Sequence, residues 1–168
     1  KITHNDVLVG ETRANTSGPP FWRAESLSRD FHYADRIGRF LESANAAVQQ
    51  PGFAHSLEEA WHMEPNSAAE VVSFLTRQRE FTGTDLPHRH HLLVEKTNTS
   101  PVGAAGNQMV LHTGWGARVN RPLAMAIEAG WKETFGEQPE VYASNECLVL
   151  QLPHDLPAAE VIGLAPAR

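Results

Sequence analysis

The feature that most limits what this chain can fold into is a change of hydrophobic rhythm at Gly83. Before it, apolar residues recur every three or four positions; after it they gather in short runs. Phe31, Ala34, Ile37, Leu41, Ala44 and Val48 keep helical spacing, with Ser28 or Asp30 as caps and Pro51-Gly52 as the stop. Ser56 with Glu59 reads as a capping box for a short helix reaching Trp61 or His62. Ser67 with Glu70 reads as a second box, opening a helix that carries Val71, Phe74, Leu75, Gln78 and Phe81 on one side. Gly83 follows as its C-terminal glycine. Beyond it, His90–Lys96 and Gln108–His112 read as strands joined by the small residues of TSPVGAAGN. GWGARVN reads as a glycine-bounded loop. Arg121–Phe135 then reads as a helix with Leu123, Ile127, Trp131 and Phe135 inward and Gly136 as its close. Glu140–Ser144 and Cys147–Leu152 form a hairpin turning at Asn145-Glu146, and LPHDLPAAEVIG begins a last short helix. Asp6–Gly10 adds a short N-terminal strand. Helices precede strands without βαβ alternation, so the expected class is α+β rather than a doubly wound sheet.

Charge narrows the function. The 168 residues carry a net charge of −6, which opposes a free-standing electrostatic grip on nucleic acid. The charge is uneven: residues 1–39 hold 6 basic and 5 acidic side chains, leaving 8 and 15 for the remainder. Any nucleic-acid contact is therefore expected mainly in the N-terminal quarter. Cys147 is the single cysteine, so no internal disulfide forms. Lying in ECLVLQL, it is expected to be a buried, inert thiol of a protein kept in a reducing cytoplasm. No apolar run reaches the roughly 20 residues of a membrane span. The opening KITHNDVLVG lacks the features of a signal peptide, and the absence of an initiating Met suggests a processed or excised piece.

Three groups of residues carry possible chemistry. GxxxxGK[ST], GxGxxG and GxSxG patterns are absent, which leaves no visible phosphate loop or nucleophile elbow. Glu58-Glu59 falls at a helix start, where acidic residues complement the helix dipole. The run LPHRHHLLVE concentrates His88, Arg89, His90 and His91. As a strand it would put His88 and His90 on one face and His91 on the other. His112 or His32 would have to complete a metal site, and HxxxH, HExxH and paired-cysteine spacings are all lacking. A polar strand entry, touching phosphate through Arg89, competes with a metal-dependent hydrolase built on His88, His90 and His112. Trp22 follows Pro-Pro in a polar loop, flanked by Arg13 and Arg23. It is either a loop anchor dipping into the core or a base-stacking side chain with arginines on phosphate. Trp115, in GWG beside Arg118 and Arg121, poses the same choice. Trp61 and Trp131 fall at helical spacing and are expected in the core.

Taken in order, ITHNDVLV, PPFWRAE and ADRIGRFLE resemble the stretch after the winged helix of large helicase-related (Lhr-type) superfamily 2 helicases. HRHHLLVE, MVLHTGWGARVNRPLAMAI and ECLVLQLP resemble the rest of that family's DEAD/H-associated domain. Its usual elements are RRLLVE, LHSPFGxRVH and a DGIVLRLP hairpin. The resemblance implies an accessory nucleic-acid-binding domain of an ATP-dependent DNA/RNA helicase that helps form the single-strand channel behind the motor. It implies RecA-like and winged-helix domains as intramolecular partners, and single-stranded DNA or RNA as the bound strand. ATP and Mg would belong to the parent, with no cofactor and no catalysis in this segment. Residues 1–30 would end the preceding module and 31–168 form the domain, with helices on a curled, mostly antiparallel, barrel-like sheet. Localisation would be cytoplasmic and nucleoid-associated, without a membrane. Trp22 matches the Trp of the PFW motif, Arg23 a frequently basic position, and Arg118 the Arg of GxRVH. The chain departs from the pattern at TGWG, at Val119-Asn120, at His90-His91, at Asn145-Glu146 and in the insertion KTNTSPVGAAGNQ. A purely structural docking module is the third reading.

Overall fold

A computed structural model describes residues 27–99 and 105–165. Three helices come first: α1 (Phe31–Ala47), α2 (Phe53–Trp61) and α3 (Pro65–Thr82). Then follow β1 (Leu93–Thr99), β2 (Ala105–His112), α4 (Ala117–Phe135), β3 (Glu140–Ala143), β4 (Cys147–Leu152) and α5 (Ala158–Gly163). The four strands form one antiparallel sheet in the order β1-β2-β4-β3. The class is α+β, as the change of rhythm predicts. Among the described residues the sheet is not closed and has β1 and β3 at its edges, so the expected curled, barrel-like description fits loosely.

Local signals set several boundaries. Asp30 caps α1, its Oδ1 accepting from the Tyr33 N–H at 3.0 Å. Gly83 ends α3 in the left-handed region at φ 64°. Both expected capping boxes are corrected. Helix α2 starts at Phe53, with Gly52 at its N-cap, and the Ser56 hydroxyl donates to the Phe53 carbonyl inside the first turn. Helix α3 starts at Pro65, which leaves Ser67 as its third residue. Proline favours a first helical position because its missing N–H would be unpaired there anyway. Helix α4 begins four residues before the expected Arg121 and takes in Pro122.

Two cores result. In the first, Ala124, Ile127 and Trp131 of α4 press on Met109 and Leu111 of β2, with Leu148, Leu150 and Leu152 of β4 and Val161 of α5. The alternating burial of β4 is that of a strand with one face covered. Gly130 allows α5's end to approach, since a Cβ there would lie 2.1 Å from the Leu164 carbonyl oxygen. In the second core, Ala44 and Val48 of α1 meet Phe53 and Leu57 of α2, Ala68 and Leu75 of α3, and Leu86. Asn45 ties Leu86 to α1, its Oδ1 accepting from the Leu86 N–H at 3.0 Å.

Some expected core residues lie outside. The inward stripe of α3 is Ala68, Val71, Val72 and Leu75, and this leaves Phe74 59% and Phe81 87% exposed. Trp61, the last residue of α2, is 50% exposed and packs edge-to-face on Phe40 at 5.3 Å. Phe135 is partly exposed beside Trp131 and His154. Cys147 is half-buried rather than buried, its Sγ 3.5 Å from the Ser144 hydroxyl.

Candidate functional site

The stretch HRHH is a turn, not the start of a strand. His88 N–H donates to the His91 carbonyl at 3.0 Å, and His91 N–H donates back at 2.9 Å. Arg89 and His90 sit at the exposed tip, and the strand begins only at Leu93. Alternating faces therefore do not apply to these histidines; the rings of His88 and His91 instead lie 5.7 Å apart. The turn is anchored to α1, because Arg89 Nε donates to Glu42 Oε2 at 2.5 Å. That bond from Arg89 holds the Glu42 carboxyl below its ordinary range.

Opposite the turn, the loop Gly114-Trp115-Gly116 is fastened to the β3–β4 hairpin. Gly114 N–H donates to the Glu146 carbonyl at 2.8 Å and Gly116 N–H to the Asn145 carbonyl at 3.0 Å. Gly116 has φ 86°, and a Cβ there would stand 2.6 Å from the Arg29 carbonyl oxygen, so only glycine fits. Asn145 is the hub. Its Oδ1 accepts from Ala117 N–H at 3.0 Å and from Arg29 N–H at 2.8 Å, while its Nδ2 donates to the Leu27 carbonyl at 2.9 Å. The hairpin tip thus serves α4 as the side-chain cap that Gly116 does not provide. Fully buried Asn120 receives the Thr113 hydroxyl at 2.8 Å and donates to the Ser144 carbonyl at 2.8 Å. The Arg29 guanidinium forms a two-pronged pair with the Glu146 carboxylate.

Between these two rims lies a cleft of about 470 Å³. Helices α1 and α3 form its floor through Ile37, Leu41 and Leu75; Phe31 and Phe74 stand at its edge, and Trp115 is half-buried in its wall. His88, His90 and His112 also line it, but no group of three or more His, Cys, Asp or Glu among the described residues could hold a metal ion. His112 turns its Nε2 toward Glu95 at 3.3 Å, across the β1–β2 pair and off hydrogen-bond geometry.

The sequence profile of the DEAD/H associated family matches residues 86–167. The chain is similar to DEAD/H-associated domains over that segment. Over 171 residues it is 27% identical to the Lhr helicase/uracil glycosylase of Escherichia coli (strain K12), covering 100% of this chain and 11% of that protein. Over 161 residues it is 27% identical to the Lhr helicase/probable uracil glycosylase of Mycolicibacterium smegmatis, covering 91% of this chain and 10% of that protein. A solved structure of Mycobacterium smegmatis helicase Lhr bound to ssDNA and AMP-PNP superposes with a TM-score of 0.66 at 26% identity. That match covers 89% of this chain and 18% of the helicase. The chain spans about a tenth of the length of the curated relatives.

Of the residues singled out in sequence, the fold brings Trp115 and Arg89 to one cleft from opposite rims. Arg118 and Arg121 lie exposed on the first turns of α4, three and six residues past Trp115, and neither pairs with a carboxylate among the described residues. Trp22, Arg23 and Arg13 lie outside the described residues, as does the expected strand Asp6–Gly10. Thr113, Asn120 and Asn145 were not singled out as site residues. Their signal was present nonetheless: each stands where the chain departs from the family's usual motif, and in the fold Thr113 and Asn120 bond to each other and to the backbone carbonyls of Glu146 and Ser144, which flank Asn145 in the hairpin turn. No helix among the described residues is long and apolar enough to cross a membrane.

Proposed function

We propose that this chain is an accessory nucleic-acid-binding domain of an ATP-dependent DNA/RNA helicase, helping to form the single-strand channel behind the motor domains. Residues 1–30 end the preceding module, and residues 31–168 make the domain itself. Its partners are single-stranded DNA or RNA and, within the same polypeptide, the RecA-like and winged-helix domains. ATP and Mg are used by those motor domains, and this segment catalyses nothing alone. The protein acts in the cytoplasm, at the nucleoid, in DNA repair.

The observation that carries the reading is the placing of Trp115. A tryptophan held between two glycines, on a loop pinned at both ends, opens onto a cleft, and it is followed in the chain by Arg118 and Arg121, which pair with no carboxylate among the described residues. Rigid aromatics beside cations bind single strands by stacking on bases while the cations meet phosphates. Trp115, Arg118, Arg121 and Arg89 form one part of the contact surface, and Trp22, Arg23 and Arg13 the other. The long relative bound to ssDNA supports the choice of strand. With a net charge of −6, the chain's own affinity is weak and the motor supplies most phosphate contacts.

The test is Trp115→Ala and Trp22→Ala in the intact protein. Each loses one stacked base and weakens strand affinity by about tenfold, since one stack is worth roughly 1–3 kcal/mol. Unchanged strand affinity and unchanged nucleic-acid-dependent ATP hydrolysis in both variants would overturn the assignment.

A further inference from the structure

We infer that the cleft between α1, α3 and the Gly114–Gly116 loop is a pocket for one unstacked base of the bound strand. The inference rests on the proposed function and adds a specific subsite to it. A base has two apolar faces and a polar edge, so its receptor needs flat apolar walls and a few free donors and acceptors. The cleft has both.

Its volume of about 470 Å³ falls in the range of small-molecule sites, roughly 300–1,000 Å³. Phe31 and Phe74 stand 54% and 59% exposed at the mouth, and Trp115 completes an aromatic rim around the buried Leu75 and Leu86. Exposed aromatics facing a shared apolar cavity leave hydrocarbon in water that a ring would cover.

The polar requirement falls on Gln78. Its side chain lines the cleft and makes no hydrogen bond among the described residues. A carboxamide offers a donor and an acceptor side by side, the pairing that base edges present in return. An apolar protein side chain filling the same space would leave that amide unanswered. The carboxylates at the rim would repel a phosphate, but each is engaged: Asp35 by Arg39 at 2.7 Å and Glu146 by Arg29. Arg118 and Arg121, just beyond Trp115 in the chain, pair with no carboxylate among the described residues and would meet the backbone of the strand.

The test is an abasic scan. The intact protein is titrated with a set of single-stranded oligothymidylates, each carrying one tetrahydrofuran abasic residue at a successive position. One position should weaken binding by about tenfold, in line with the loss of one stacked base. The penalty at that position should disappear in Phe74→Ala and shrink in Gln78→Ala; both residues are at least partly exposed, so neither change threatens the fold. An abasic penalty at one position that persists unchanged in both variants places the base elsewhere and overturns the pocket. A flat scan with tight strand binding does the same, while leaving the strand-binding function standing. Failure to bind any oligonucleotide overturns both.

Discussion

The helical and sheet halves of this molecule spend their apolar residues differently. The sheet half hides them: Trp131, Ile127, Met109 and the leucines of β4 are all buried, and only a few large apolar side chains, such as Tyr142 and Met125, face solvent. The helical half leaves Phe31, Tyr33, Trp61, Phe74 and Phe81 on its surface. The family profile covers the sheet half, residues 86–167. In the sheet half, packing and buried hydrogen bonds hold a loop rigid; in the helical half, a small core supports an apolar wall facing that loop. The candidate site lies at the seam, where a rigid rim meets an open aromatic surface.

The largest effect that would test this contrast comes from comparing Trp131→Ala with Phe81→Ala. Emptying the buried indole site should cost about 3–5 kcal/mol. Trimming the exposed Phe81 should stay within about 0.5 kcal/mol. Urea unfolding of the two variants reads both, and similar losses would erase the distinction between the halves.

Next is the buried cluster under Trp115. Asn120→Ala strips the Thr113 hydroxyl and the Ser144 carbonyl of a partner, at about 1–3 kcal/mol. Combined with Thr113→Ala, the cost should fall short of the sum of the two single changes, because each removes the same bond. Strictly additive losses would mean that the cluster does not act as a unit.

The smallest effect concerns the link between the halves. The Glu42 carboxyl, held down by its bond from Arg89, and the Asp35 carboxyl, held down by Arg39, ionise more readily folded than unfolded. Their contribution is therefore present above the ordinary carboxylate range and lost as pH falls through their lowered values. Stability should decline slightly on acidification through that range, and Glu42→Gln should flatten part of the decline. Both pairs are solvent-exposed, so the change is small and weakens further with salt. A Glu42→Gln profile parallel to that of the parent would show that the Arg89 bond does not tie the turn to α1.

Much of the helical half was legible in sequence. Asp30 and Gly83 bound their helices as read, and the stripe Ala34, Ala44 and Val48 is buried. The Asn145-Glu146 hairpin also lies where the turn residues place it. The misreadings have two causes. Ser56 and Ser67 meet a capping pattern, yet Gly52 and Pro65 start the helices because backbone geometry outweighs a side-chain bond worth about 1 kcal/mol. Phe74 and Phe81 fit a helical period, but the period cannot say which of two adjacent stripes meets α2. The cleft is only half legible: Trp115 and Arg89 stand out from their neighbours in sequence, while Phe74 and Gln78 fall on one apolar side of their helix, where the period alone shows no site.

What the sequence by itself determined is therefore local: where the rhythm changes, which class follows, and which ordered motifs mark the family. What the tertiary structure decided depends on partners far away in the chain. Helix α4 begins at Ala117 because Asn145, 28 residues on, caps it. HRHH folds into a turn held by Glu42, 47 residues back. Contacts of that range leave no periodic trace, since each is a single pairing that forms only after helix, loop and hairpin have been brought together.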